Sequence, residues 1–163
     1  MNGDAARRFR VAVAILLMAT LSACESVTFT STRWEAVQKE LNRRYELWRA
    51  ARPANYQYKF DRVCECREDL LREVIVEVRD TTVVAATYTD SSTAVPDSSL
   101  KYYFSVEGLF TQIQIAINSL ADSLYVEYDP TLHYPRVIVG DLNIFLADDE
   151  LSLYASELVA KQD

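Results

Sequence analysis

The chain has 163 residues, half of them hydrophobic, with 17 basic and 24 acidic side chains and a net charge of −7. That length suits one ordinary domain with a packed core, and the acidic balance argues against nucleic-acid binding, because phosphates repel it. Three glycines and four prolines argue against a long flexible linker.

The N-terminal segment carries Arg7, Arg8 and Arg10, followed by the apolar run Val11–Leu21. A run of about 11 residues fits the apolar part of an export signal and is too short to span a bilayer. It closes on Leu21-Ser22-Ala23-Cys24, which resembles the lipobox of bacterial lipoproteins at all four positions. The expectation is a cleaved signal peptide over residues 1–23 and lipidation (diacylglyceryl and palmitate) on Cys24. Removing residues 1–23 leaves Cys24–Asp163 with 14 basic and 23 acidic side chains, net −9. Such a domain has no basic patch to hold it on a membrane, so the membrane partner is reached through lipid. Glu25 follows the cysteine and is not the aspartate that retains lipoproteins at the inner membrane of enteric bacteria. In a cell with two membranes this points to the periplasmic face of the outer one.

Residues 24–32 read as a short polar tether and 33–163 as a single domain. A helix is predicted to start near Ser31 or Thr32, either of which can cap it, with Glu35 completing a capping box. Trp34, Val37, Leu41, Tyr45 and Trp48 recur at helical spacing, and the stripe reads as core packing. Arg52-Pro53 ends the helix. Asn55 to Cys66 alternates, with Tyr56, Tyr58, Phe60, Arg62, Cys64 and Cys66 on one face. Strands follow over Glu73–Arg79 and Val83–Thr89, joined by a turn at Asp80-Thr81, giving an antiparallel meander.

Asp90–Ser99 is rich in Ser, Thr and Asp and reads as a loop, with a brief extended piece at Lys101–Phe104. Ser105 caps a second helix whose apolar face is Leu109, Phe110, Ile113, Ala116, Ile117 and Leu120. Ser123–Asp129 and Arg136–Phe145 are strands joined through Asp129-Pro130-Thr131-Leu132-His133-Tyr134-Pro135. Leu151–Val159 reads equally as a sixth strand or a terminal helix. The order predicts an α+β domain: an antiparallel sheet of five to six strands with two helices packed on it. No internal repeat is visible.

Several stretches resemble DUF6174, an uncharacterised family of bacterial lipoproteins. They are Asn55-Tyr56-Gln57-Tyr58, Cys64-Glu65-Cys66, Val106-Glu107-Gly108-Leu109-Phe110, Tyr128-Asp129-Pro130 with Tyr134-Pro135, and Ala147-Asp148-Asp149-Glu150-Leu151. The resemblance covers roughly Ala54 to Ser156. It implies an exported, often lipid-anchored domain and no particular reaction or cofactor.

Cys64 and Cys66 are the sharpest chemical feature. On a regular strand their Cα atoms would stand about 6.6 Å apart, with parallel Cβ atoms too distant for a disulfide. A bulge or turn at Glu65 would permit one. Two reduced buried thiols, or a redox or metal role, are the other readings. Arg62 and Arg67 favour a thiolate, but the spacing is not that of thioredoxin-like sites. His133, the one histidine, sits between prolines and reads as a turn residue. Asp129, Asp141, Asp148, Asp149 and Glu150 supply calcium-type oxygens without the spacing of a calcium loop, so no metal is expected. The turn Tyr128, Asp129, Pro130, Tyr134 and Pro135, with Tyr102 and Tyr103, is a possible partner surface. No catalytic set is found. The expected function is a lipid-anchored envelope protein that binds a protein or small ligand non-enzymatically; the alternative is a thiol-redox protein or enzyme using Cys64 and Cys66.

Overall fold

The structure is a computed structural model that describes residues 25–141 and 150–161. The expected signal peptide, the lipidation site Cys24, and Asp148 and Asp149 lie outside the described residues. Helix α1 spans Glu25–Ala51. It starts before the cap predicted at Ser31 or Thr32, so the stretch read as a tether is helical. Glu25–Thr32 holds neither glycine nor proline, and nothing in it stops a helix from extending backward. Pro53 stands two residues beyond the helix end, after a last backbone bond from Arg52 N–H to the Trp48 carbonyl (2.7 Å).

Gln38–Asp163 form one compact unit. Its described strands are β1 (Asn55–Val63), β2 (Val74–Arg79), β3 (Thr82–Tyr88), β4 (Ser123–Tyr128), β5 (Pro135–Asp141) and β6 (Glu150–Ala160), with α2 (Val106–Asn118) between β3 and β4. They make one sheet in the order β3-β2-β1-β6-β5-β4, with every pairing antiparallel. Residues 151–159 are therefore strand: Leu153 and Ala155 fill the inner face between Arg62 and Phe60 of β1.

Alternation explains one face of this sheet. Tyr56, Tyr58 and Phe60 of β1 stand opposite Val78, Val76 and Val74 of β2, and all six are buried. Ile138 of β5 and Leu153 of β6 continue the row. Trp48 of α1 and Val106, Leu109, Phe110, Ile113, Ala116 and Ile117 of α2 are buried with them. Each fully buried aliphatic or aromatic side chain contributes about 1.5–3 kcal/mol. The other face carries Gln57, Lys59, Asp61 and Glu77, with Tyr125, Val139 and Tyr154 exposed among them.

Local chemistry fixes the connections. Asp80 takes φ 54° in the two-residue turn between β2 and β3, a conformation that a short polar side chain tolerates. Ser105 Oγ accepts from Gly108 N–H (3.2 Å) and caps α2. The predicted extension at Lys101–Phe104 is replaced by a 3-10 turn over Asp97–Tyr102; Pro96 before it presets the backbone for a turn. Strand β1 stops at Val63, short of the cysteines.

Candidate functional site

A cleft of about 270 Å³ lies between the helices, lined by Leu41, Asn42, Tyr45, Glu107, Phe110, Thr111 and Gln114. Helical spacing puts Leu41, Asn42 and Tyr45 on one wall, and Glu107, Phe110, Thr111 and Gln114 on the other. The stripe, read as core packing ahead of a ligand groove, also builds a wall: Leu41 and Trp48 are buried, while Tyr45 meets Phe110 edge-on across the cleft, centroids 5.1 Å apart. At one end a reciprocal amide pair joins the helices. Gln38 Nε2 donates to Gln114 Oε1 (2.8 Å) and Gln114 Nε2 donates back to Gln38 Oε1 (2.7 Å). Asn42 and Asn118 accept a further bond each from this pair.

Glu107 closes the other end. Its carboxylate accepts from Trp48 Nε1–H (3.0 Å) and from the Tyr56 hydroxyl (3.3 Å). Arg52 Nε lies 3.5 Å from the same carboxylate. The Tyr56 hydroxyl in turn accepts from Val106 N–H (3.0 Å) at the start of α2. Burial, and then the Glu107 charge, push the Tyr56 hydroxyl well above the ordinary tyrosine range. Each member therefore holds another: an acid in the first helical turn, two aromatic donors and one arginine. The next residue, Gly108, lets this helix start approach Phe104, whose Cβ would be 3.1 Å from an added methyl. Sequence reasoning did not single out Glu107. Its signals are an acidic residue in the first turn after a Ser cap, where helix-dipole compensation is the ordinary explanation, and its place in the family-resembling stretch Val106–Phe110, which names no role.

Cys64 and Cys66 lie beyond the end of β1 and are joined by a disulfide, with Cα atoms 5.4 Å apart. Bends at residues 64–66 bring them closer than a regular strand allows. Both are half-buried, and Glu65 between them is exposed. A three-residue loop gains only about 1.6 kcal/mol in the chain-entropy account, against about 3 for a 15-residue loop. Nearby, the Arg62 guanidinium lies over Phe60 (4.9 Å), Tyr103 (5.3 Å) and Phe104 (5.7 Å). Its Nη2 donates to the Tyr102 carbonyl, and its Nε has no hydrogen-bond partner among the described residues.

The partner surface expected over Tyr128, Asp129, Pro130, Tyr134 and Pro135 needs correction. Tyr134 and Pro135 are buried, and Tyr103, proposed with them, is buried too. Tyr134 packs on Trp48 with centroids 6.2 Å apart, and Tyr128 stacks on Phe110 (6.2 Å) beneath Arg44 (5.1 Å). Asp129 builds the turn: its Oδ1 accepts from Thr131 and Leu132 N–H (2.9 and 2.7 Å). The motif turns a hairpin inward: Tyr134 and Pro135 are buried, Tyr128, Asp129, Leu132 and His133 half-buried, and Pro130 and Thr131 exposed. His133 sits at φ 66° in this turn, its Nδ1 3.1 Å from Arg44 Nη1. Among the described residues no three His, Cys, Asp or Glu side chains gather closely enough to hold a metal ion, and no described helix is long and apolar enough to cross a membrane.

Comparison with known proteins adds a family and no activity. No curated protein and no solved structure matches the chain. A family model described as "Family of unknown function (DUF6174)" matches residues 40–160. That interval runs from the second half of α1 to the last residue of β6, so the match takes in the cleft, the Glu107 network and the disulfide, and the chain belongs to the DUF6174 family.

Proposed function

We propose that this chain is a lipid-anchored bacterial envelope protein whose domain binds a ligand non-enzymatically in the cleft between α1 and α2. The observation that carries the binding reading is the cleft itself. Leu41, Tyr45 and Phe110 offer an apolar, aromatic wall, while Asn42, Thr111, Gln114 and Glu107 set polar groups around it. Concave sites of this make-up orient small molecules with an apolar body and a few hydrogen-bonding groups. Most of those polar groups are already engaged within the protein, so shape and apolar contact dominate recognition.

The anchoring half rests on the sequence Leu21-Ser22-Ala23-Cys24 after a basic and apolar segment. Cys24→Ala is expected to release the protein from membranes while leaving the fold intact. If the variant still fractionates with membranes after high-salt and carbonate washes, the lipid is not the anchor.

The cleft is tested separately, in the full-length protein in living cells. A photo-crosslinking residue replaces Thr111 on the rim or Lys59 on the opposite sheet face. The Thr111 position is expected to trap a discrete adduct, and Phe110→Ala to reduce its yield. Equal labelling from Thr111 and Lys59 would remove the cleft as a binding site.

A further inference from the structure

We propose that Cys64–Cys66 is a thiol–disulfide exchange site, opened and closed by a protein dithiol while the domain stays folded. The proposal uses none of the cleft residues and stands apart from the binding reading.

Three observations converge on it. The first is what the bond joins. Its partners are two residues apart, so it ties no helix to a strand and no strand to another, and it constrains the unfolded chain little. A staple for the fold would be placed elsewhere. The second is where it lies. The last paired residue of β1 is Val63, opposite Ser152. Opening the bond therefore breaks no ladder hydrogen bond, and both sulfur-bearing residues reach the surface on either side of exposed Glu65. The third is charge. Arg62 and Arg67 flank the pair along the chain, against Glu65 alone between them. Arg67 is paired with Asp69 (2.7 Å). Arg62 is held over three aromatic rings with its Nε unpartnered among the described residues. Positive charge placed this close along the chain favours the thiolate that must leave when a disulfide is attacked.

The exchange balances without any further reactant. A thiolate of the incoming dithiol forms a bond to one sulfur of the pair. The Cys64–Cys66 bond breaks, and the other cysteine leaves as a thiolate and takes up a proton. The second thiol of the donor then attacks the mixed disulfide, closing a disulfide in the donor and releasing the remaining cysteine. Two electrons and two protons pass from donor to pair. In the reverse sequence the reduced pair attacks an incoming disulfide, which leaves as a dithiol while the Cys64–Cys66 bond closes again.

The test uses the full-length protein, dithiothreitol as the first probe and a purified protein dithiol as the second. Thiols are alkylated after incubation, and the peptide holding Cys64 and Cys66 is quantified by mass spectrometry, which keeps Cys24 out of the count. Reduction is expected to go to completion with the circular dichroism of the native fold retained. The double variant Cys64→Ser/Cys66→Ser is expected to fold, with a melting midpoint lower by no more than about 6 °C. Of the single variants Cys64→Ser and Cys66→Ser, at least one is expected to capture oxidised glutathione in the native state. The proposal is overturned if the bond opens only where the protein unfolds, if neither single variant reacts while native, or if the double variant fails to fold. Any of these would make the bridge part of the fold.

Discussion

Glu107 gathers Trp48, Tyr56 and Arg52 onto one carboxylate, two of them aromatic residues from different elements. Removing that acceptor leaves an indole N–H and a phenol O–H with no acceptor in a largely buried place, where each unsatisfied donor costs about 1–3 kcal/mol. Glu107→Ala is therefore expected to destabilise the domain by roughly 2–4 kcal/mol in urea unfolding. Glu107→Gln, which keeps an acceptor, should lose clearly less. Equal losses would mean that the site needs the charge rather than the hydrogen bonds. Gly140 shows the opposite sort of constraint. A methyl group there would come within 2.8 Å of the Ser123 carbonyl of β4, which accounts for a glycine directly after the branched run Val-Ile-Val. Neither residue announces its role in the sequence. The side chains that Glu107 serves lie 51 and 59 positions away, and no local pattern reports such distances.

The end of α2 carries a residue in an unsuitable conformation. Ala121 N–H bonds back to the Ala116 carbonyl and Leu120 N–H to Ile117 (3.0 Å each), the pairing of a Schellman motif. Leu120 occupies its left-handed position at φ 53°, where glycine is the usual residue. A left-handed leucine costs roughly 1–2 kcal/mol, and its side chain is 64% exposed, so little burial compensates. Leu120→Gly should stabilise the protein by roughly 0.5–1 kcal/mol after the extra flexibility of glycine is subtracted. A thermal midpoint that falls instead would show that the side chain makes a contact worth more than the strain. Elements were more legible than residues. Period-two alternation located Tyr56, Tyr58 and Phe60, and a serine followed by apolar spacing located α2, because burial on one face leaves a local imprint. The 3-10 turn at Asp97–Tyr102 and the burial of Tyr134 and Pro135 left none: both depend on what packs above them.

Across the molecule, ionisable tyrosines are the buried polar currency. Burial pushes the hydroxyls of Tyr56, Tyr58, Tyr128 and Tyr134 upward and that of Tyr103 to about 12, from an ordinary value of 10.0. The sign follows from which state keeps its protons. Below pH 10 both folded and unfolded chains hold them and the contribution to stability is fully present. As pH rises from 10 through the folded values, the unfolded chain gives up protons that the native one retains, and stability falls. Phenolate absorbance from these residues should therefore appear together with loss of near-ultraviolet circular dichroism. Complete ionisation in a protein with a native spectrum would refute it. The described elements also repeat in order: helix followed by three strands occurs twice, α1-β1-β2-β3 and α2-β4-β5-β6, without sequence similarity between the two stretches.

The placement of β6 has a consequence in time. Strand β1 is made early and β6 late, yet they are hydrogen-bonded neighbours in the middle of the sheet, Phe60 opposite Ala155. Until the segment around Ala155 has left the ribosome, β1 has only one neighbour and the two meanders have no seam. Long-range pairing of this kind is slow to form. A nascent chain built this way cannot close its sheet until most of it has been synthesised. The segment around Ala155 thus keeps the two meanders apart until the last strand of the sheet has been made.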